Sequence, residues 1–530
     1  MRQTRTRRSK FAKSLLAVPT LFVLAFVVVP VANILGRTFE DISLSLLRSS
    51  AIQQVIWFTT WQAVASTMVA LALAAPIAFC VANFKFKGQR LLTSLTSIPF
   101  ILPSIVVGIA FLGILPGSMH RTAFALIIAH AYFNFGFAAR TIGNRWLQIH
   151  PHLDDAARTL GASPAKLFST VTLPILRRSI VNTSLIVFTL SFTSYGVVRM
   201  LGGPARSTIE TEIYFRAMQL GDVSGAVLLS VVQILLVGLL FLISTRVGSR
   251  HSRRISTSTI SRQKRIDSTK KLTVIALVGL GAIGFTVLPL LAILNKSLRT
   301  SKGFTLEGWR LVVSSTELWR GLSTSFIYAF GALTIAVLLA TIAATATVYD
   351  ENTAGLVGVL TSLPIVVSSV SIGLGVLITI DTPPCDWRGS QLMLPLAHAM
   401  IALPLAVRMI TPVLQGIPTS LRQASSVLGA TTWQTWRTID LPIIRRTIVS
   451  AAAICAAVSL GEFGASSFLV RQSNETLPVL ISQLLSRPGD ILQTQAFALS
   501  VILVLFSAGI IFVIDSFEDF SPAKRTANNA

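Results

Sequence analysis

Charge is scarce in this chain. Only 12% of its 530 residues are Asp, Glu, Lys or Arg, about half the share of an ordinary soluble domain. A water-soluble globule is thereby excluded. Acid is scarcer still, with 21 Asp and Glu against 45 Lys and Arg, for a net charge of +24. The three cysteines, Cys80, Cys385 and Cys455, lie in separate segments, so neither a disulfide framework nor a metal site is implied. No Gly-x-x-x-x-Gly-Lys-Ser/Thr phosphate loop occurs, and the chain therefore lacks the usual cradle for ATP. No cluster of His, Asp and Cys suggests a membrane enzyme.

What is abundant is apolar sequence. Hydrophobic residues make up 52% of the chain and the mean hydropathy is +0.71. They gather in runs of roughly 20, the length that crosses a hydrocarbon core as a helix. A β-barrel would alternate in segments of about ten. The fold class is all-α integral membrane. The basic excess flanks the apolar runs, which makes it a topology signal and an attraction for lipid headgroups. It implies the lipid bilayer as partner and no nucleic acid.

In chain order, Arg2, Arg5, Arg7, Arg8, Lys10 and Lys13 precede an apolar run at Leu15–Leu35. That run exceeds the roughly 7–15 residues of a secretory signal and reads as a retained helix. Further spans follow at Val55–Ala82, Leu91–Leu115, Thr122–Arg140, Ile180–Leu201 and Gly225–Thr245. A Ser/Thr-rich linker, 246–271, holds nine Lys and Arg with one Asp, and reads as a flexible connector. Six more spans lie at Leu272–Leu294, Leu322–Val348, Leu356–Ile380, Gln391–Thr411, Ile448–Val470 and Ile491–Ile514. This gives about 12 transmembrane helices, with halves at 1–245 and 272–530. The positive-inside rule puts both termini and the linker in the cytoplasm. Two places strain the pattern: the basic loop Asn295–Arg320, which should lie outside, and the acidic turn of Asp350 and Glu351.

The halves are copies of each other. Asp155-Ala156-Ala157 through Gly161 to Leu173-Pro174 returns as Gln423-Ala424-Ser425 through Gly429 to Leu441-Pro442, at an offset of 268 residues. The same offset pairs His130 with His398, Arg140 with Arg408 and Gly196 with Gly464. Six spans separate the copies, an even number. The repeats are therefore parallel six-helix units related by an axis along the membrane normal.

Each polar loop, 145–178 and 412–446, reads as two short helices joined by a bend. Ala156, Ala157 and Leu160 favour a helix, and Gly161 and Gly429 stand where a left-handed residue ends one. Ser163-Pro164 starts the second helix of the first loop, and Thr431 or Thr432 that of the second. Pro174 and Pro442 are expected to interrupt the chain before the next span. The loops present Lys166, Phe168, Trp433 and Trp436, which suits docking to a two-fold partner or, alternatively, rest on lipid.

The spacing Glu-Ala-Ala, three residues, Gly, nine residues, Ile-x-Leu-Pro resembles the signature of bacterial ATP-binding-cassette importer permeases. This chain carries it twice, with Asp155 and Gln423 in the Glu position and Val171 in one Ile position. In that family the loop is a coupling helix seated on an ATPase subunit. The resemblance covers nearly the whole chain and is similar to the fused permeases for thiamine or ferric iron. Ala129-His130-Ala131-Tyr132-Phe133-Asn134 and Leu201-Gly202-Gly203-Pro204 with Thr208-Ile209-Glu210 resemble the thiamine branch. So does Ser459-Leu460-Gly461-Glu462-Phe463-Gly464, which also recurs in anion permeases of the superfamily and so discriminates little. The resemblance implies a non-enzymatic permease subunit and two separate ATPase subunits that use ATP and Mg, with no cofactor on this chain. It also implies an extracytoplasmic solute-binding protein. A twelve-helix secondary transporter is the rival from another class, though few acids are available for proton coupling.

Polar residues within the apolar spans are candidates for the substrate path. Glu462 reads as lying inside the eleventh span, where a charge costs at least about 2.5–3.5 kcal/mol. A cationic substrate, an internal partner or water has to offset it. Its repeat mate is Ser194, beside Tyr195. His130 and His398, as symmetric mates, read as bonds to neighbouring helices, whereas Asn134 pairs with Ala402. Pro99, Pro103 and Gly108, with Pro364 and Gly373 in the other half, mark helices expected to be kinked.

Overall fold

Inside a hydrocarbon core the backbone finds no water, so crossing segments close their hydrogen bonds within helices. The structure is a computed structural model that describes residues 14–41, 45–249, 263–266, 268–350, 353–380, 387, 390–471 and 474–519. The basic cluster Arg2–Lys13, most of the linker, Cys385 and Glu351 lie outside the described residues.

The first half runs α1 (Ser14–Gly36), α2 (Ser50–Asn83), α3 (Gln89–Ile101), α4 (Ser104–Ile114) and α5 (Ala123–Leu147). It continues with α6 (Pro151–Thr159), α7 (Pro164–Phe192), α8 (Gly196–Leu201), α9 (Ile209–Phe215) and α10 (Val223–Ser249). The second half repeats this order. It runs α11 (Thr269–Ser297), an added α12 (Glu307–Ser314), α13 (Thr316–Tyr349), α14 (Gly355–Val366), α15 (Ser369–Thr379) and α16 (Met393–Gln415). Then come α17 (Thr419–Val427), α18 (Thr432–Leu460), α19 (Gly464–Leu469), α20 (Leu477–Ser486) and α21 (Asp490–Asp519). Among the described residues ten helices are long and apolar enough to cross a membrane, and two bent pairs bring the total to twelve.

Those bent pairs fall in the third and ninth spans, where kinks are expected from the sequence, and each kink is a full break. α3 and α4 meet at 104°, and α14 and α15 at 93°. In the first half Pro103 holds Leu102 in an extended conformation, with ψ of 144°, as a proline does to the residue before it. In the second half no proline sits at the break. There the Ser368 hydroxyl accepts from the Ser371 amide at 3.2 Å and starts α15. The fifth and eleventh spans are also redrawn. They begin at Pro164 and Thr432 and end at Phe192 and Leu460, with α8 and α19 as separate short helices. Arg140 and Arg408 lie inside α5 and α16 rather than at their ends.

The chain forms two compact units. One takes the described parts of Leu44–Glu212 and Leu235–Leu306, the other those of Met1–Ser43, Ile213–Ile234 and Glu307–Ala530. Each unit thus includes the opening helix of the other sequence half. In the first, α11 lies along α4 where Gly113 meets Ala292, and the Tyr132 hydroxyl of α5 donates to the Thr286 carbonyl of α11 at 2.9 Å. In the second, α1 lies along α15. Asn33 donates to Thr379 at 3.0 Å, and a side chain at Gly375 would meet Pro30.

Lipid gives apolar side chains no reason to leave it, so close packing and polar contacts hold such helices together. The burial pattern follows. Leu235, Leu239, Leu277 and Leu280 are exposed, while Thr59, Gln62, His130 and Asn134 are buried. Small residues set the closest approaches, and they recur by repeat. A side chain on Gly196 would strike Ser104, and one on Gly464 would strike Ser369. Thr59 accepts from the Ile209 amide at 3.0 Å, and Ser325 accepts from the Leu477 amide at 2.8 Å.

The linker is not wholly without structure. Strand β1 (Phe84–Lys85), just beyond α2, pairs in parallel with β2 (Lys264–Arg265), and Gln263 donates to the Val81 carbonyl at 2.8 Å. The end of α2 leaves carbonyls open to such a donor. The basic loop that strained the topology folds as a hairpin, β3 (Arg299–Thr300) with β4 (Gly303–Phe304), followed by α12.

Candidate functional site

The duplicated loops have nearly the same backbone. In α6 the His150 ring accepts from the His152 amide, and Pro151 occupies the first turn, where its missing N–H costs nothing. The helix ends in a left-handed glycine, Gly161, at φ 79°. The Gly161 amide donates to the Arg158 carbonyl at 2.9 Å, and the Ala162 amide donates to the Ala157 carbonyl at 3.0 Å. That double closure satisfies the last carbonyls of the helix. The other loop does the same at Gly429, φ 80°, with Gly429 bonded to Ser426 and Ala430 to Ser425, both at 3.1 Å.

Beyond the bend Ser163 caps α7 through the Lys166 amide. Thr431 and Gln434 cap α18 reciprocally. The expectation that Pro174 and Pro442 interrupt the chain is corrected. Each proline sits inside a helix that runs unbroken from the loop into the membrane-spanning segment. A wide π turn, Phe168–Thr172 in one half and Trp436–Asp440 in the other, precedes each proline. Such a turn resets the bonding register, so the ring meets no carbonyl that needs its absent N–H.

Asp155, Ala156, Gly161, Leu173 and Pro174 are exposed, as are Gln423, Ala424, Gly429 and Pro442; Ala157 and Leu441 are half-buried. Sequence reasoning missed the most prominent side chains. Leu160, Val427 and Leu428 are each 87% exposed at the bends. The signal was present, since Leu160 and Leu428 are the same apolar residue at the same repeat position in a polar stretch. Beside them lie exposed Phe168 and Trp433, the latter stacked on Trp436 at 5.0 Å.

The two loops are anchored differently. The first rests on an aromatic and aliphatic cluster: Trp146 lies 5.7 Å from Phe79 and 5.8 Å from Phe168, among Ala82, Ile149 and Leu176. The second is held by a buried ion pair, Arg422 Nε to Asp440 Oδ1 at 2.8 Å.

A model of one family, the binding-protein-dependent transport system inner membrane components, matches residues 70–256 and again residues 332–525. The chain belongs to that family. Each match contains one loop and the helices that carry it, so this transport-system component is a duplicated permease and a multi-pass membrane protein. Its relatives include a thiamine transport system permease protein of Brucella abortus, 29% identical over 87% of both chains. A protein of the same description from Haemophilus influenzae is 25% identical over 87% of this chain and 88% of its own. A third, from Escherichia coli, is 24% identical over 90% of each.

The remaining polar candidates of this membrane component fall in two places. Glu462 is not inside a span, as the sequence suggested. It stands in the break between α18 and α19, where Gly461 ends one helix and the carboxylate starts the next. Glu462 Oε1 accepts from the Ala465 amide at 2.9 Å. Its Oε2 accepts from the Ser466 amide and hydroxyl, each at 2.9 Å. The charge is met by the helix terminus. His398 lies alongside, bonded to Ser459 at 2.8 Å and Ser466 at 2.9 Å. Its mate His130 bonds Gln62 at 2.9 Å, and Asn134 donates to the His130 carbonyl at 2.9 Å. Ser194 and buried Tyr195 lie in the equivalent break of the first half. The structure thus brings Glu462 together with His398, and Asn134 with His130, each pair within its own unit.

Replacing Glu462 with Gln sets an NH2 group against donors that now meet a carboxylate. We expect a stability loss of about 1–3 kcal/mol, read as a lower unfolding temperature of the detergent-solubilised protein, with the half-saturating substrate concentration of uptake unchanged. A raised half-saturating concentration at unchanged stability would return Glu462 to the substrate path.

Proposed function

We propose that the chain is the membrane-spanning subunit of an ATP-driven importer for thiamine. The observation that carries this reading is the pair of matching bent loops, each tipped with exposed leucine and each continuous with a membrane-crossing helix. A pair of identical ATPase subunits would find the same docking element twice. ATP and Mg would be bound by those subunits, since this chain has no phosphate loop of its own. A solute-binding protein would deliver the cargo on the opposite face. The loops, the linker and both termini would then be cytoplasmic, in keeping with the positive charge of the loops, the linker and the N-terminal segment.

Closure of the ATPase pair would move both bends together. Because α7 and α18 begin at the bends, that motion would pass into the bundle without an intervening hinge. The cargo assignment rests on the names of the relatives. Glu462 does not support it, because its oxygens are engaged by α19.

The test is reconstitution of the chain with its ATPase subunits and binding protein in proteoliposomes. Labelled thiamine should accumulate only with ATP, and an ionophore should leave the uptake intact. Accumulation of ferric iron in place of thiamine would keep the importer and change the cargo. Uptake that collapses with the ionophore and ignores ATP would replace the importer with a secondary transporter. Orientation is tested in intact cells: cysteines placed in the linker should resist an impermeant reagent applied outside.

A further inference from the structure

The buried ion pair of the second loop joins four helices at one guanidinium. Arg422 belongs to α17. Its Nε donates to Asp440 Oδ1 of α18 at 2.8 Å, and its Nη2 donates to the Leu414 carbonyl of α16 at 2.9 Å. The Tyr349 hydroxyl, at the end of α13, donates to Asp440 Oδ2 at 2.7 Å, and the Tyr349 ring lies 5.9 Å from the guanidinium. One turn away the Trp436 indole donates to Thr345 of α13 at 3.1 Å, and Ser425 of α17 bonds Thr435 of α18 at 2.8 Å. Asp440 is fully buried and Arg422 nearly so.

The first half does not repeat this Arg–Asp pair. At the repeat positions of Arg422 and Asp440 stand Asp154 and Thr172, and the last residue of α2, opposite Tyr349, is Asn83. A buried pair with every polar atom engaged is costly to lose on one side only and fixes orientation through its fork geometry. Aromatic packing of the kind around Trp146 has no such directional requirement.

We propose that Asp440 is a positioning residue. Through Arg422 it locks the angle of α17 against α13, α16 and α18, so that the second loop transmits motion as a rigid body. The proposal concerns the loop of the importer read above and rests on that reading for its consequence, but the positional claim is independent of it.

The experiment measures electron-spin distances in the permease alone, in a chain whose three native cysteines are replaced. One label pair is Leu428 with Phe330 and the matched pair in the other half is Leu160 with Val64, all four exposed. With Asp440→Asn or Tyr349→Phe, the Leu428–Phe330 distribution should lose its narrow main peak while Leu160–Val64 keeps its own. Asp440→Glu, which keeps a carboxylate opposite the Arg422 fork, should keep the peak. In proteoliposomes the Asp440→Asn complex should carry about fivefold less cargo per ATP hydrolysed, in the range by which residues along a coupling route act. Asp440→Glu should recover the ratio, which a merely stabilising contact would leave unmoved throughout. A narrow peak in both Asp440→Asn and Tyr349→Phe overturns the proposal, and Tyr349→Phe decides alone if the Asn variant does not insert. A peak as broad in Asp440→Glu as in Asp440→Asn also overturns it, because the carboxylate would then not be what holds α17. Absence of any ATP-driven uptake by the unaltered chain would defeat the importer reading and leave the distance result standing.

Discussion

A chain carrying both Gly161→Glu and Gly429→Glu should reach the membrane in normal amount and transport nothing. Neither glycine is crowded: a side chain built on either meets no atom within 4 Å. The backbone is the first obstacle, because φ near +80° at both positions costs an L-residue roughly 1–2 kcal/mol. That sum does not unfold a protein of this size. It does unseat the bend, and with it the leucines that precede each glycine. A bulky charged group at the same tip then meets whatever docks there. Truncating a well-packed contact of this kind costs about 2 kcal/mol or more, so two at once should reduce ATPase-subunit binding by roughly a thousandfold. Co-purification of the ATPase measures the effect, and membrane yield serves as the control. Full transport by the double variant would remove the loops from the mechanism.

The second large effect is expected at Gly136, and it acts on assembly. α5 crosses α3 so closely that a Cβ on Gly136 would lie 1.7 Å from the Thr96 carbonyl oxygen and 2.6 Å from its carbon. The obstacle is backbone, which cannot rotate aside. Overpacking typically costs about 1–3 kcal/mol even where side chains can move, and here a helix must shift. Gly136→Ala should therefore leave little inserted protein, and Gly136→Val less. Gly143, two turns further along α5, provides the comparison. Its added Cβ would touch Ala78 at an ordinary 3.5 Å, so Gly143→Ala should insert and unfold like the unaltered chain. Equal yields for the two alanine variants would mean that α3 and α5 do not pack this way.

Much of this architecture could be read from residues alone, and the limits have physical causes. The span count was legible because the bilayer sets a length that apolar runs must meet. The bends at Gly161 and Gly429 were legible because few residues other than glycine accept a positive φ. Proline misled twice. Pro174 and Pro442 suggest helix ends, but a π turn upstream absorbs each. The right-angle break in the ninth span has no proline at all, only Val367 and Ser368. Glu462 was misplaced because the segment around it is apolar enough to pass for continuous helix. Arg422 and Asp440 stand 18 residues apart on two helices, beyond the reach of any local pattern.

The placement of α1 bears on the order in which the protein can be made. Asn33 finds Thr379 across 346 residues of sequence, and synthesis at roughly 5–20 residues per second puts about 20–70 seconds between the two. α1 thus leaves the ribosome long before the helix that houses it. Through that interval it rests in lipid with its Asn33 amide still to be matched, while α11 meets a bundle already complete when it emerges. A nascent chain stopped before the second half would hold an orphan helix, the kind of segment that membrane quality control removes.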